Sequence, residues 1–137
     1  MTLAEHVVVK RLSPGQDLKA ALAELPATDG VESGVLLSVV GSLSAACLRL
    51  AGAADTTMLP GPLEIVSGTG TVGRCGIHVH VSLADSSGRT TGGHLLSGCL
   101  VHTTVELAIL NLAGAWRFER PHDPRTGYHE LLPSKLN

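Results

Sequence analysis

Gly76-Ile77-His78-Val79-His80-Val81-Ser82-Leu83, followed after a short turn by Gly92-Gly93-His94, decides how this chain is read. Ile77, Val79, Val81 and Leu83 alternate with His78, His80 and Ser82, the period-2 pattern of a half-buried strand. Strand geometry sends the aliphatic side chains to one face and both imidazoles to the other. Asp85-Ser86-Ser87-Gly88 carries turn chemistry, so a hairpin brings His94 back towards the first two histidines. Zinc accepts neutral imidazole nitrogens at about 2.0–2.1 Å, and three protein ligands with an open fourth position is the catalytic or ligand-binding arrangement. His78 and His80 can share an ion only if a third ligand reaches across from an adjacent strand. His94 is placed to do so, with Gly92-Gly93 removing side chains that would crowd the approach. The alternative is that His78 and His80 line a polar sheet face and bond to water.

Around this strand the composition is aliphatic. The chain has 137 residues, 44% of them hydrophobic but only 2% aromatic, so Val, Leu, Ile and Ala must build the core. That length predicts a single domain over residues 1–137. A mean hydropathy of +0.27 is high for so small a chain and points to a buried subunit interface. Ten Lys and Arg against twelve Asp and Glu leave a net charge of −2 with no basic run, which argues against strong autonomous DNA binding. There is no apolar run of about 18 residues, so no membrane span is expected. Residues 1–6 lack the pattern of a secretory signal. Cys47, Cys75 and Cys99 are odd in number and widely spaced, which fits reduced thiols in a cytoplasmic protein.

Residues 6–12 read as a strand, then Ser13 as an N-cap with Pro14 at the first helical position. Leu18, Ala21, Leu22 and Leu25 form a helical stripe that Pro26 ends. Residues 34–50 read as two strands bent or bulged at Gly41-Ser42, with a helix over 44–50 as the alternative, and 51–60 as a loop. Residues 63–72 form a strand whose Gly68 and Gly70 mark a bulge or a close approach to the backbone. Residues 94–101 continue the sheet. Residues 103–112 alternate, with Val105, Leu107 and Ile109 on one face, and 115–120 form a last strand before a polar tail. Many strands and one or two helices make an α+β chain with a mainly antiparallel central β-sheet.

Other residues carry competing readings. Glu64, beside the glycine-interrupted segment, is a candidate acid/base or a partner that fixes a histidine tautomer, or else a carboxylate in a subunit salt bridge. Glu106 has the same readings, with the structural one favoured. Arg49 and Arg120 are candidates for pairing across an interface, with anion binding as the alternative. Cys75, three before His78, is a conceivable fourth ligand but reads better as a small free hydrophobe, and Cys47 and Cys99 read as core. Ser67-Gly68-Thr69-Gly70-Thr71 lacks the Lys and the following helix of a phosphate loop.

Taken together, Leu12-Ser13-Pro14-Gly15-Gln16-Asp17-Leu18, Gly41-Ser42-Leu43, Leu48-Arg49 and Leu63-Glu64-Ile65-Val66-Ser67-Gly68-Thr69-Gly70 resemble a known module. With His78-x-His80, Gly92-Gly93-His94-Leu95, Thr104-Val105-Glu106 and Arg120-x-x-Asp123, the chain is similar over nearly its whole length to the PPC domain. This is the plant and prokaryote conserved module, also labelled a PD1-like DNA-binding domain. The resemblance implies a fold like that of acetolactate decarboxylase, a homotrimer, and a metal, zinc or another divalent transition ion, on His78, His80 and His94. Three functions follow as expectations: a metal-binding trimer under a DNA-binding label, a small zinc-dependent hydrolase or decarboxylase acting on a small carboxylate, or a metal-dependent scaffold for a small ligand.

Overall fold

A computed structural model describes residues 2–137. After a 3-10 turn at Leu3–His6 come β1 (Val7–Leu12), α1 (Leu18–Asp29), β2 (Ser33–Arg49), β3 (Thr57–Gly73), β4 (His78–Ala84), β5 (Thr90–Leu95) and β6 (Leu100–Asn111). The tail adds β7 (Trp116–Glu119), β8 (His122–Asp123), β9 (Tyr128–His129) and β10 (Leu132–Lys135). The first six strands form one sheet in the order β1-β6-β2-β3-β4-β5, and every pairing in it is antiparallel. The end of β2 also pairs with β5, so the sheet curls until β2, β3, β4 and β5 meet around one end. The fold is the expected α+β arrangement of an antiparallel sheet with one helix.

The alternations read from the sequence set the faces. Val79, Val81 and Leu83 of β4 and Val105, Leu107 and Ile109 of β6 are buried, while His78 and His80 are exposed on the other side. Leu18, Leu22 and Leu25 of α1 join that cluster, each fully buried. Burying a side chain of this size stabilises the fold by about 1.5–3 kcal/mol relative to leaving it in water.

The helix boundaries differ from expectation. Ser13-Pro14-Gly15-Gln16 is a turn closed by the Gln16 N–H on the Ser13 carbonyl at 3.2 Å, with Gly15 at φ 84°. Pro14 presets the first central position of such a turn and Gly15 supplies the positive φ. Asp17 is the N-cap, its Oδ1 accepting from the Ala20 N–H at 3.1 Å. Its Oδ2 accepts from the Gly98 N–H at 2.6 Å, which ties the start of α1 to the turn before β6. That tie breaks the expected continuous 94–101 strand after Leu95. Pro26 lies inside α1 rather than ending it, and the helix stops at Gly30, φ 67°, whose N–H donates to the Leu25 carbonyl. Burial of Leu22 and Leu25 on one face of the helix, just ahead of Pro26, offsets the carbonyl that Pro26 leaves without a donor.

β2 runs unbroken through Gly41-Ser42, where the register against β6 slips, so the expected bend is present as a bulge within one strand. β3 starts earlier than read, because Met58, Leu59 and Pro60 pair with Cys47, Ala46 and Ala45. The tail is ordered: β10 pairs with β7, and β8 with β9. No helix among the described residues is long and apolar enough to cross a membrane.

Gly70 shows why the glycines interrupt β3. A Cβ placed there would collide with the His78 carbonyl oxygen and lie 2.7 Å from Val79 Cα, so only glycine lets β3 and β4 approach this closely at the first histidine. Gly70→Ala should therefore destabilise the protein by about 1–3 kcal/mol, measured as a lower midpoint in thermal or urea unfolding. Unfolding curves superimposable on those of the wild type would show that this contact does not constrain the strands.

Candidate metal centre

β4 and β5 place the three histidines. His78 and His80 project from the same face of β4, and His94 of β5 stands directly across from His80 in the ladder. His94 is also in register with Arg49 at the end of β2. Gly93 makes that second pairing possible, since a Cβ there would sit 2.8 Å from the Arg49 carbonyl oxygen. The diglycine thus clears room for a neighbouring backbone rather than for the ion itself.

The rings gather tightly. Centroids lie 4.9 Å apart for His78–His80, 5.4 Å for His78–His94 and 5.5 Å for His80–His94. One nitrogen from each ring lies within 4.8 Å of the others, and His78 Nε2 is 3.2 Å from His80 Nε2. Three nitrogens at about 2.0–2.1 Å from a tetrahedral ion would stand about 3.3 Å apart. The His78–His80 pair already has that spacing. The donor set fits a borderline transition metal, which takes neutral imidazole.

The electrostatics favour the neutral form of His78 and His94. His94 is pushed down to about 4, first by burial and then by the positive charge of Arg49. His78 is pushed below the usual imidazole range by burial, then by His80, Arg120 and Arg49, while Glu130 acts in the opposite direction. Neutral rings are the form that binds metal, so few protons compete with an ion here.

A cavity of about 340 Å³ opens beside the cluster, lined by His78 and His94 together with Arg49, Arg120, Tyr128 and Glu130. A second, of about 550 Å³, lies on the His80 side under the 50–54 loop. Cys75 lines the first cavity but is not part of the cluster that could hold a metal, which is His78, His80 and His94. Arg49 and Arg120, read from the sequence mainly as interface residues, both face this cavity. Glu106 lies elsewhere, exposed on β6 in register with Arg11 and Val40. Glu64 is also exposed and pairs with Ala84, four residues along β4 from His80, or about 13 Å at strand spacing. It lines neither cavity next to the histidines.

The carboxylate that does stand beside them, Glu130, was not singled out in the sequence, nor were Tyr128 and His129. They belong to the segment read as a polar tail, and no periodicity in it signals that β8 and β9 fold back over β4. His129 Nδ1 donates to the Arg120 carbonyl at 3.0 Å, and the Glu130 N–H donates to the Pro121 carbonyl at 3.1 Å, which together close the hairpin.

The Plants and Prokaryotes Conserved (PCC) domain model matches residues 2–113. A hypothetical protein from Salmonella cholerae-suis has the same fold with a TM-score of 0.90 and 36% identity, covering 94% of this chain and 93% of that one. The metal-containing protein of Archaeoglobus fulgidus superposes with a TM-score of 0.79 at 28% identity, covering 92% of each. In sequence, the chain is 46% identical over 126 residues to the bifunctional protein GlmU of Synechococcus sp. (strain JA-3-3Ab), covering 92% of this chain and 20% of that protein. The chain thus spans about a fifth of the length of the curated relatives it matches.

In the metal-free protein the His94 imidazole should titrate near pH 4, followed by NMR. An unfolded chain takes up this proton near 6.5 while the folded one does not, so the His94 contribution to stability is lost as pH falls from about 6.5 towards 4. A His94 midpoint at or above 6.5 would mean that the ring is neither desolvated nor close to a cation.

Proposed function

The chain belongs to the Plants and Prokaryotes Conserved (PCC, or PPC) domain family, and on that footing we propose that it is a homotrimeric metal protein whose working centre is a zinc-type ion on His78, His80 and His94. The observation that carries this reading is the convergence of three imidazole nitrogens within 4.8 Å beside an open cavity. The Archaeoglobus fulgidus relative, a metal-containing protein, supports it. Three protein donors leave a coordination position for water or a ligand. An ion there supplies a Lewis acid, or a water of lowered pKa, to whatever enters the cavity. The chain's own residues favour neutral His78 and His94, fix the spacing of the donors through the β4–β5 register and line the cavity with two guanidinium groups.

The trimer accounts for the exposed aliphatic side chains of the sheet. Val9, Leu37, Val40 and Val66 are 74%, 52%, 50% and 61% exposed on strands β1, β2 and β3. Apolar residues so placed are better covered by further copies than by water. A reducing, cytoplasmic setting accounts for the free thiols of Cys47 and Cys99, which lie buried against each other with Cys99 Sγ donating to the Cys47 carbonyl.

Purified protein should retain about one divalent metal ion per chain by elemental analysis, and light scattering should give a mass of three 14.1 kDa chains. His78→Ala should remove most of the metal. Equal metal content in the variant and the wild type would sink the centre, and a monomer mass would sink the trimer.

A DNA-binding reading is favoured by one observation. Solved structures from Bacteroides thetaiotaomicron and Ralstonia eutropha, at 19% and 20% identity, carry DNA-binding names. The net charge of −2 opposes it, because phosphate contacts need a basic footprint. Gel shifts at low salt should show little retention of duplex DNA. Tight, sequence-dependent retention would reverse that ranking.

A further inference from the structure

Arg120 is held in an unusual way. Its Nη2 donates to Thr71 Oγ1 at 2.9 Å, and Thr71 is the β3 residue in register with His78. Its Nε is shut off from solvent and has no hydrogen-bond partner. A buried guanidinium donor without an acceptor is costly, so Arg120 is kept at this position at the expense of its own hydrogen bonding. Among the described residues the ion pairs are Lys10–Asp29, Arg74–Glu32 and Arg125–Asp123, and neither Arg49 nor Arg120 takes part in one. Glu130, the carboxylate lining the same cavity, accepts instead from Thr126 Oγ1 at 3.0 Å. A chain of net charge −2 thus brings two guanidinium groups without an ion-pair partner to the space beside His78 and His94.

We propose that this cavity binds a small oxygen-bearing carboxylic acid, with its carboxylate on Arg49 and Arg120 and its adjacent hydroxyl or keto oxygen directed to the histidine centre. The proposal rests on the metal reading above and adds the class of ligand. Guanidinium groups match a carboxylate through parallel charge-assisted hydrogen bonds, which a neutral amide cannot reproduce. A volume of about 340 Å³ accommodates an acid of a few carbons with room for water. A 2-oxo or 2-hydroxy acid sets a second oxygen one carbon away from the carboxylate, which lets one molecule address both the guanidinium groups and the centre. His129 completes the wall. Because Nδ1 donates to the Arg120 carbonyl, the neutral ring keeps its lone pair on Nε2.

The test is calorimetric titration of the zinc-loaded protein with pyruvate, lactate and, as the uncharged control, pyruvamide, with zinc content measured on each sample. Pyruvate and lactate should bind, and pyruvamide at least roughly ten-fold more weakly. Arg49→Gln and Arg120→Gln should each weaken pyruvate binding roughly ten-fold or more with zinc content unchanged. Should Arg120→Gln fail to fold, the wild-type Arg120 Nε resonance still decides, since it must shift as pyruvate saturates the protein. Equal binding of pyruvate and pyruvamide, or zinc-loaded protein that gives no heat and no resonance shift with pyruvate, overturns the carboxylate site while leaving the metal centre standing. Protein that takes up no zinc yet binds pyruvate through both arginines overturns the metal reading and supports the carboxylate site.

Discussion

His94 is held in register by two strands at once, and the rest of the site depends on that double pairing. On one side β5 sets it opposite His80, and on the other the end of β2 sets it opposite Arg49. A single hairpin would fix the distance from His94 to β4 but leave the sheet end free to splay. With β2 closing on β5, the third imidazole and the first guanidinium are fixed by the same ladder. Gly93 permits the closure, since any larger residue would meet the Arg49 carbonyl oxygen. Gly70 does the same on the other flank, where β3 presses against the backbone of His78. Two positions without side chains thereby set the spacing of three with functional ones.

That geometry also explains which parts of the molecule could be read without a structure. The alternation in β4 and β6 was legible because a period-2 pattern has one solution once one face is buried, as Val79, Val81, Val105 and Leu107 show. The three-histidine set was legible because H-x-H and a following hairpin are local. The helix start was misread because Ser13-Pro14 satisfies the same local rules as a capped helix, while the real cap, Asp17, is chosen by a distant partner, the Gly98 N–H. Pro26 was misread for a related reason: tertiary burial of Leu22 and Leu25 outweighs its intrinsic preference. Glu130 and His129 were invisible because nothing within residues 121–130 says that the segment returns to β4. Glu64 drew attention by its neighbourhood in sequence, yet its β3 position falls several residues from the level of the histidines.

Charge is distributed in a way that totals conceal. The net value of −2 describes a surface where Lys10, Arg74 and Arg125 are neutralised by adjacent carboxylates. Among the described residues Arg49 and Arg120, like several other cations, take part in no such pair, and these two face the cavity beside His78 and His94. Their effect is already visible on the imidazoles, since Arg49 helps hold His94 neutral to about pH 4. Cations beside the donors of the proposed centre would weaken a divalent ion by direct repulsion, and an anion between them relieves it. The carboxylate nearby, Glu130, is engaged with Thr126. An anionic ligand would satisfy the guanidinium groups and the proposed ion together.

The wall that would enclose such a ligand is the least anchored part of the fold. β8 and β9 pair over two residues each, and the hairpin is closed chiefly by the His129 and Glu130 contacts to the 120–121 backbone. Segments held by so few buried contacts open at low free energy relative to the core. The sheet and α1, by contrast, carry the fully buried leucines and fix the histidines whether or not the tail is in place. Donor geometry and ligand enclosure are therefore separable properties of this chain. The first is set by the cooperative core, and the second by a short hairpin whose order is worth only a few hydrogen bonds. A ligand gripping Arg120 acts at the base of that hairpin, so its binding energy feeds into the weakest element of the structure rather than the strongest.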